Sequence, residues 1–202
     1  MSFRDEPLMK ITGGKYRNKN IEVQEDRALR PTMARTREAI FNILQHGRFL
    51  NHVLFVEDDN PSRVEHRSVV DLFCGTGALG LEALSRGAEH ITFVDQNQQR
   101  MSLARSNAAQ LGETARVSFV RSDSTRLPPA SRKHDLAFID PPYRQKLEAA
   151  ALESLRDMGW LKPGAIVILE GGKQDDPPEV AGYHLLDTRE HDKTRISVLQ
   201  FI

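Results

Sequence analysis

The chain has 202 residues, 39% of them hydrophobic and 28% charged, which suits one soluble globular domain with a sizeable core and room for a small appendage. Its 28 basic and 28 acidic residues balance, so net charge alone points to no nucleic-acid partner, and no apolar run approaches the roughly 20 residues of a membrane span. A lone cysteine (Cys74) excludes an internal disulfide framework and a cysteine-based zinc site, the histidines are scattered so that no metal site is expected, and MSFRDEPLMK lacks the apolar core of a secretory signal; a cytoplasmic protein is expected.

In chain order, Met9 to Thr12 and Ile21 to Val23 read as a strand pair around Gly13-Gly14 and a basic turn, Lys15 to Asn20. Lys10, Lys15, Arg17, Lys19, Arg27, Arg30, Arg35 and Arg37 face only Glu22, Glu25 and Asp26 in this region. Such a stretch is either a phosphate-holding surface or a solvated face with its own ion pairs. After Arg30-Pro31, Thr32 is placed to cap a helix whose apolar positions Ala39, Ile40, Ile43 and Leu44 recur at helical spacing. His46 to Arg67 reads as a connector or insertion with a possible strand at His52 to Val56.

From Ser68 strands and helices alternate, the mark of an α/β fold with a mostly parallel sheet. Strands are expected at Val69 to Phe73, Ile91 to Asp95, Val117 to Arg121, Leu136 to Asp140 and Ala165 to Glu170, and helices at Ala78 to Arg86, Gln98 to Leu111 and Gln145 to Met158. Tyr183 to Asp187 and Arg195 to Phe201 then form a terminal antiparallel hairpin, an ending that suits a Rossmann-like methyltransferase sheet better than a dehydrogenase one. Three parts follow: an N-terminal hairpin and helix at 1–48, a connector at 49–67, and a catalytic domain at 68–202.

The first chemical motif is DLFCGTGALG, a buried strand running into a glycine-rich turn and a helix. Gly75, Gly77 and Gly80 satisfy G-x-G-x-x-G, and Asp95 lies 20 residues after Gly75, so a nicotinamide-dependent oxidoreductase is a competing reading. Asp71 tilts the choice to S-adenosylmethionine (SAM), because a carboxylate there suits an ammonium group and repels a pyrophosphate. Asp95, with Gln96 beside it, is placed to accept the ribose hydroxyls, and Asp123 to accept an adenine amino group or simply to cap its loop. Cys74 has no histidine near it in sequence and reads as a small residue in a crowded turn.

The second motif is Asp140-Pro141-Pro142-Tyr143 directly after the apolar run Leu136 to Ile139. Alone it is a proline turn; coupled to the glycine-rich loop it points to methyl transfer onto an exocyclic amino group. The lone pair of such a nitrogen is delocalised into the base ring. Asp140 and the Pro141 carbonyl can accept its N–H bonds and direct the lone pair at the methyl group, and proline has no N–H to compete. Tyr143 can stack on a base drawn out of its helix.

Over nearly its whole length the chain resembles bacterial 16S rRNA guanine-N2 methyltransferases. The resemblance lies in ITGGKYR at 11–17, LRPT at 29–32, RTRE at 35–38 with Phe41-Asn42, the block DLFCGTGALGLEALSRGA, and DPPY. It implies a SAM-dependent enzyme acting on 16S rRNA within a 30S subunit or assembly intermediate; the small size and the lack of an obvious apolar surface helix allow a monomer. It also implies that Lys15, Arg17, Arg30 and Arg37 hold rRNA phosphates and that Thr32 and Arg35 lie near the substrate. DNA adenine-N6 and protein glutamine methyltransferases share DPPY-like motifs and are the alternative within the same chemistry. Glu170-Gly171-Gly172 reads as a surface turn without a function.

Overall fold

A strand buried on both faces has to be apolar almost throughout, and Ser68–Leu72 (β3) is buried along its whole length. In the computed structural model, which describes residues 8–23, 30–46, 64–142 and 145–202 (residues 8 and 30–33 by backbone alone), this strand stands at the middle of a seven-stranded sheet. Its neighbours are His90–Asp95 (β4) with Val117–Arg121 (β5) beyond, and His134–Ile139 (β6) with Leu161–Gly172 (β7) beyond, all parallel. The terminal hairpin, Tyr183–His191 (β8) and Thr194–Phe201 (β9), joins through β9 antiparallel to β7. Helices Ala78–Ser85 (α2), Gln98–Gln110 (α3) and Glu148–Asp157 (α4) connect the parallel strands.

The two-residue period of the strands divides the core. Val69, Ile91, Phe93, Leu136, Phe138 and Ile168 face one layer, packed with α2, α3 and the N-terminal helix Arg30–His46 (α1), where Phe41 meets Phe138 edge-on with ring centroids 5.7 Å apart. Val70, Leu72, Val94, Ala137, Ile139 and Val167 face the other, with Leu152 and Leu155 of α4. Asp71 lies between Val70 and Leu72 and therefore belongs to the first face.

Leu8–Lys10 (β1) and Asn20–Glu22 (β2) form a separate two-stranded sheet, fastened onto α2. Glu82, wholly buried, accepts the Thr12 and Gly13 amides (2.9 and 2.8 Å), the Thr12 hydroxyl (2.7 Å), and Nε of Arg37 and Arg86 (3.1 and 3.0 Å). A carboxylate that accepts that many donors is compensated for its burial. Gly14 permits the close approach: a Cβ there would lie 1.9 Å from the Ser85 carbonyl oxygen.

Several boundaries differ from the sequence expectation for identifiable reasons. Helix α1 starts at Arg30, so Thr32 lies inside its first turn instead of capping it. Helix α4 starts at Glu148, not Gln145, because Lys146 is left-handed (φ 51°) and breaks the helix there. Strand β7 begins at Leu161, ahead of Ala165, with a register irregularity opposite His134 to Leu136; Pro163 in this stretch cannot donate to a ladder. The possible strand at His52 to Val56 lies outside the described residues.

Candidate active site

The carboxyl ends of β4, β3, β6 and β7 lie side by side, and each carries an acid on the same face of the sheet. Asp71 pairs in register with Phe93 and Phe138, so Asp95 and Asp140, each two residues further along, project to the same side. Ligands of open α/β sheets bind at this edge.

The glycine-rich turn holds itself together through these acids. Asp71 is 2% exposed and its Oδ2 accepts the Gly80 amide at 2.9 Å, which satisfies one of the unpaired N–H groups in the first turn of α2. Burial pushes its carboxyl up to about 7, opposed by that amide and aided by the charge of Asp95. Asp71 thus sits within the turn's own hydrogen bonding, a deeper seat than the ligand-facing one expected of it. Asp95 ends β4, its Oδ2 accepting the Gly75 amide at 3.0 Å and its Oδ1 the Asn97 amide at 2.8 Å. Phe73, between them in sequence order, is left-handed (φ 54°), a conformation uncommon for a bulky residue and found more often at functional sites.

The three glycines have different reasons. Gly75 (φ 53°) lies beside open space, where a Cβ would meet nothing nearer than the Phe73 carbonyl oxygen at 3.9 Å, so it can face a ligand. Gly80 cannot: a Cβ there would lie 2.4 Å from Cε1 of Phe93 and 2.8 Å from Cγ2 of Ile91. Gly77 (φ 79°) likewise backs onto Phe93 and Ala104. Gly77 and Gly80 are therefore required for helix-to-strand packing, a role beside the cofactor contact expected of them. Gln96 is exposed beside Asp95. Asp123 caps its own loop, Oδ1 accepting the amide and hydroxyl of Thr125 at 2.9 and 2.8 Å. Cys74 is buried, its sulfur 3.8 Å from that of Met101, and burial pushes its thiol well above the usual range.

The acids, the gap beside Gly75 and the bent turn fit SAM, whose ammonium and sulfonium are cationic. A site that holds carboxylates back from ionising is relieved by positive charge and would be burdened by a pyrophosphate.

Asp140 follows β6 at the site's mouth, with Pro141 buried and Pro142 exposed behind it. Withdrawal from solvent and then the charges of Glu170 and Asp71 push its carboxyl well above the usual range. Tyr143 lies outside the described residues. Glu170, read from sequence both as the last residue of a strand and as the first of a surface turn, is 8% exposed within β7, which runs on to Gly172, and neighbours Asp140.

Of the expected RNA contacts, Lys15, Arg17 and Arg35 are exposed, Lys15 reaching Glu113 at 3.4 Å. Arg37 is a correction. It is 3% exposed, ion-paired to Glu82, and donates to the Lys10 carbonyl at 2.6 Å and to the Met9 sulfur, so it belongs to the clamp that holds the hairpin. The side chains of Arg30 and Thr32 are not among those described.

Residues 9–200 match the family described as conserved hypothetical protein 95. The chain is 31% identical to ribosomal RNA small subunit methyltransferase D of Escherichia coli, over 85% of this chain and 79% of that protein. It is 30% identical to the Haemophilus influenzae protein of the same name, over 82% and 79%. A solved Escherichia coli structure described as a methyltransferase superposes with a TM-score of 0.77 at 26% identity, covering 96% of this chain and 98% of that one. These likenesses leave the oxidoreductase reading of the glycine loop without support.

Proposed function

The chain belongs to the small-subunit rRNA methyltransferase D family, and on that premise we propose that it transfers a methyl group from SAM to the exocyclic N2 of a guanine in 16S rRNA. The observation that carries this reading is the position of Asp140-Pro141-Pro142, directly across from the glycine-rich turn on the strand next to β3. SAM supplies an electrophilic methyl on a cationic sulfur, so the protein has only to bind, orient and exclude water.

In this reading Asp95 and Gln96 take the ribose hydroxyls, the Gly75 backbone borders the ligand, and Asp71 contributes negative charge from within the turn. Asp123 takes the adenine amino group alongside its loop bonds. Asp140 acts as a carboxylate acceptor for the N2–H, and a cationic donor close by favours that ionised form. The Pro141 carbonyl offers the second acceptor, and Tyr143 stacks on the extruded base. Because the reaction is a direct displacement, alignment is the main contribution of these residues.

Lys15, Arg17, Arg30 and Arg35, with Thr32 beside them, form the proposed RNA-facing surface. The proposed substrate is 16S rRNA within a 30S particle or assembly intermediate in the cytoplasm, met by a monomer. Asp140→Ala tests the reading: SAM affinity should stay within about threefold while transfer to rRNA falls by at least about a hundredfold, the scale of one well-placed polar group. Parallel loss of SAM binding would instead assign Asp140 to the cofactor pocket.

A further inference from the structure

Glu170 stands beside Asp140 at the end of the neighbouring parallel strand. The Ile139–Leu169 pairing brings residues 140 and 170 level, and Glu170 pairs in turn with Ile196 of β9. Ile196, Ile168 and Phe138 all belong to the first core face, so Glu170 and Asp140 project to the same side of the sheet. On the other flank of Asp140, Asp71 is level with Phe138, two residues short of Asp140 along the strand. Glu170 is therefore the second acid best placed to meet a base held at Asp140.

Resting on the guanine-N2 reading above, we propose that Glu170 is a specificity-determining residue that accepts the N1–H of the target guanine while Asp140 accepts its N2–H. An ionised carboxyl is an acceptor only. Guanine offers two neighbouring donors, N1–H and N2–H, on its pairing edge. Adenine and cytosine also carry an exocyclic amino group, but beside it stands a ring nitrogen with a lone pair. Two acids on strands about 4.8 Å apart match neighbouring donors, and turn the second carboxylate against the lone pair of the other two bases. Two adjacent acids oppose each other's charge, consistent with the upward push that Glu170 exerts on Asp140; N–H donors from the base relieve that opposition.

The probe is 2-aminopurine, which keeps the 2-amino group but carries a lone pair at N1. RNA is prepared with guanine or 2-aminopurine at the position the wild-type protein methylates. Wild-type kcat/KM should favour guanine by at least about a hundredfold, since a site built for an N–H rejects an analogue lacking it. Glu170→Gln, whose amide can donate to N1, should reduce that preference by about tenfold or more with SAM affinity unchanged. A preference unaltered in Glu170→Gln overturns the assignment, as does a wild-type preference near unity, which needs no variant to fold. Wild-type protein that forms no N2-methylguanine overturns the guanine-N2 reading itself.

Discussion

Asn107 of α3 donates Nδ2 to the Thr76 carbonyl in the glycine-rich turn at 3.1 Å, and the same side chain holds both backbone polar groups of Glu22 on β2 at 2.8 Å each. It is wholly buried. One amide thus joins the N-terminal hairpin to the loop assigned to the cofactor, with both its donor and its acceptor used.

Asn107→Ala should destabilise the fold by about 2–4 kcal/mol, because it strands backbone groups that have lost access to water. Asn107→Asp, which sets a carboxylate against two carbonyl oxygens, should cost at least as much. Both should also weaken SAM binding severalfold. Urea unfolding and titration calorimetry measure the two effects; lost stability with unaltered SAM affinity would confine Asn107 to the hairpin.

The two kinds of glycine separate by experiment. Gly80→Ala forces a Cβ into Phe93 and should cost about 1–3 kcal/mol of stability. Gly75→Ala has space but a left-handed backbone, so a smaller stability loss of about 1 kcal/mol should accompany the larger loss of SAM affinity. Equal effects on both properties at both positions would refute the division.

The sequence was most legible where one rule governs one element. Alternating strands and helices, the continuous apolar run of β3 and the end of β6 just before Asp140 all stood where local pattern put them. What escaped was set by partners distant in sequence. Arg37 looked like one more surface cation because Glu82, which buries it, lies 45 residues away. The packing role of Gly80 did not show because Phe93, which crowds it, is on the next strand. Gly171 and Gly172 looked like a turn, which hid that β7 continues past Glu170.

Buried His134 carries a pH prediction. Its Nδ1 lies 3.1 Å from the Trp160 carbonyl and its Nε2 3.0 Å from the Thr92 hydroxyl, an arrangement that the neutral ring satisfies with Nδ1–H donating. Burial lowers its pKa from 6.5 to about 4. The unfolded chain therefore binds the proton more readily, so this stability is present above pH 6.5 and is lost as pH falls towards 4, by about 3 kcal/mol in all. His134→Gln should flatten that part of the stability-against-pH curve; an unchanged slope would place the acid-sensitive group elsewhere.

The cations of the N-terminal region should divide by burial. Lys15→Ala and Arg17→Ala should weaken rRNA binding and reduce the slope of log affinity against log salt by about one for each phosphate contact removed. Arg37→Ala should leave the slope unchanged and cost about 1–3 kcal/mol of stability, since Glu82 loses one of its two guanidinium partners while keeping Arg86. A reduced salt slope in Arg37→Ala would return that residue to the RNA surface.

The central claim is tested most directly by identifying the methylated nucleoside. Labelled SAM is supplied with naked 16S rRNA, with 30S particles lacking the modification, and with DNA, and the products are digested to nucleosides. N2-methylguanosine is expected from rRNA or 30S particles, with no label in DNA. Label in DNA adenine, or in no nucleic acid at all, would contradict it.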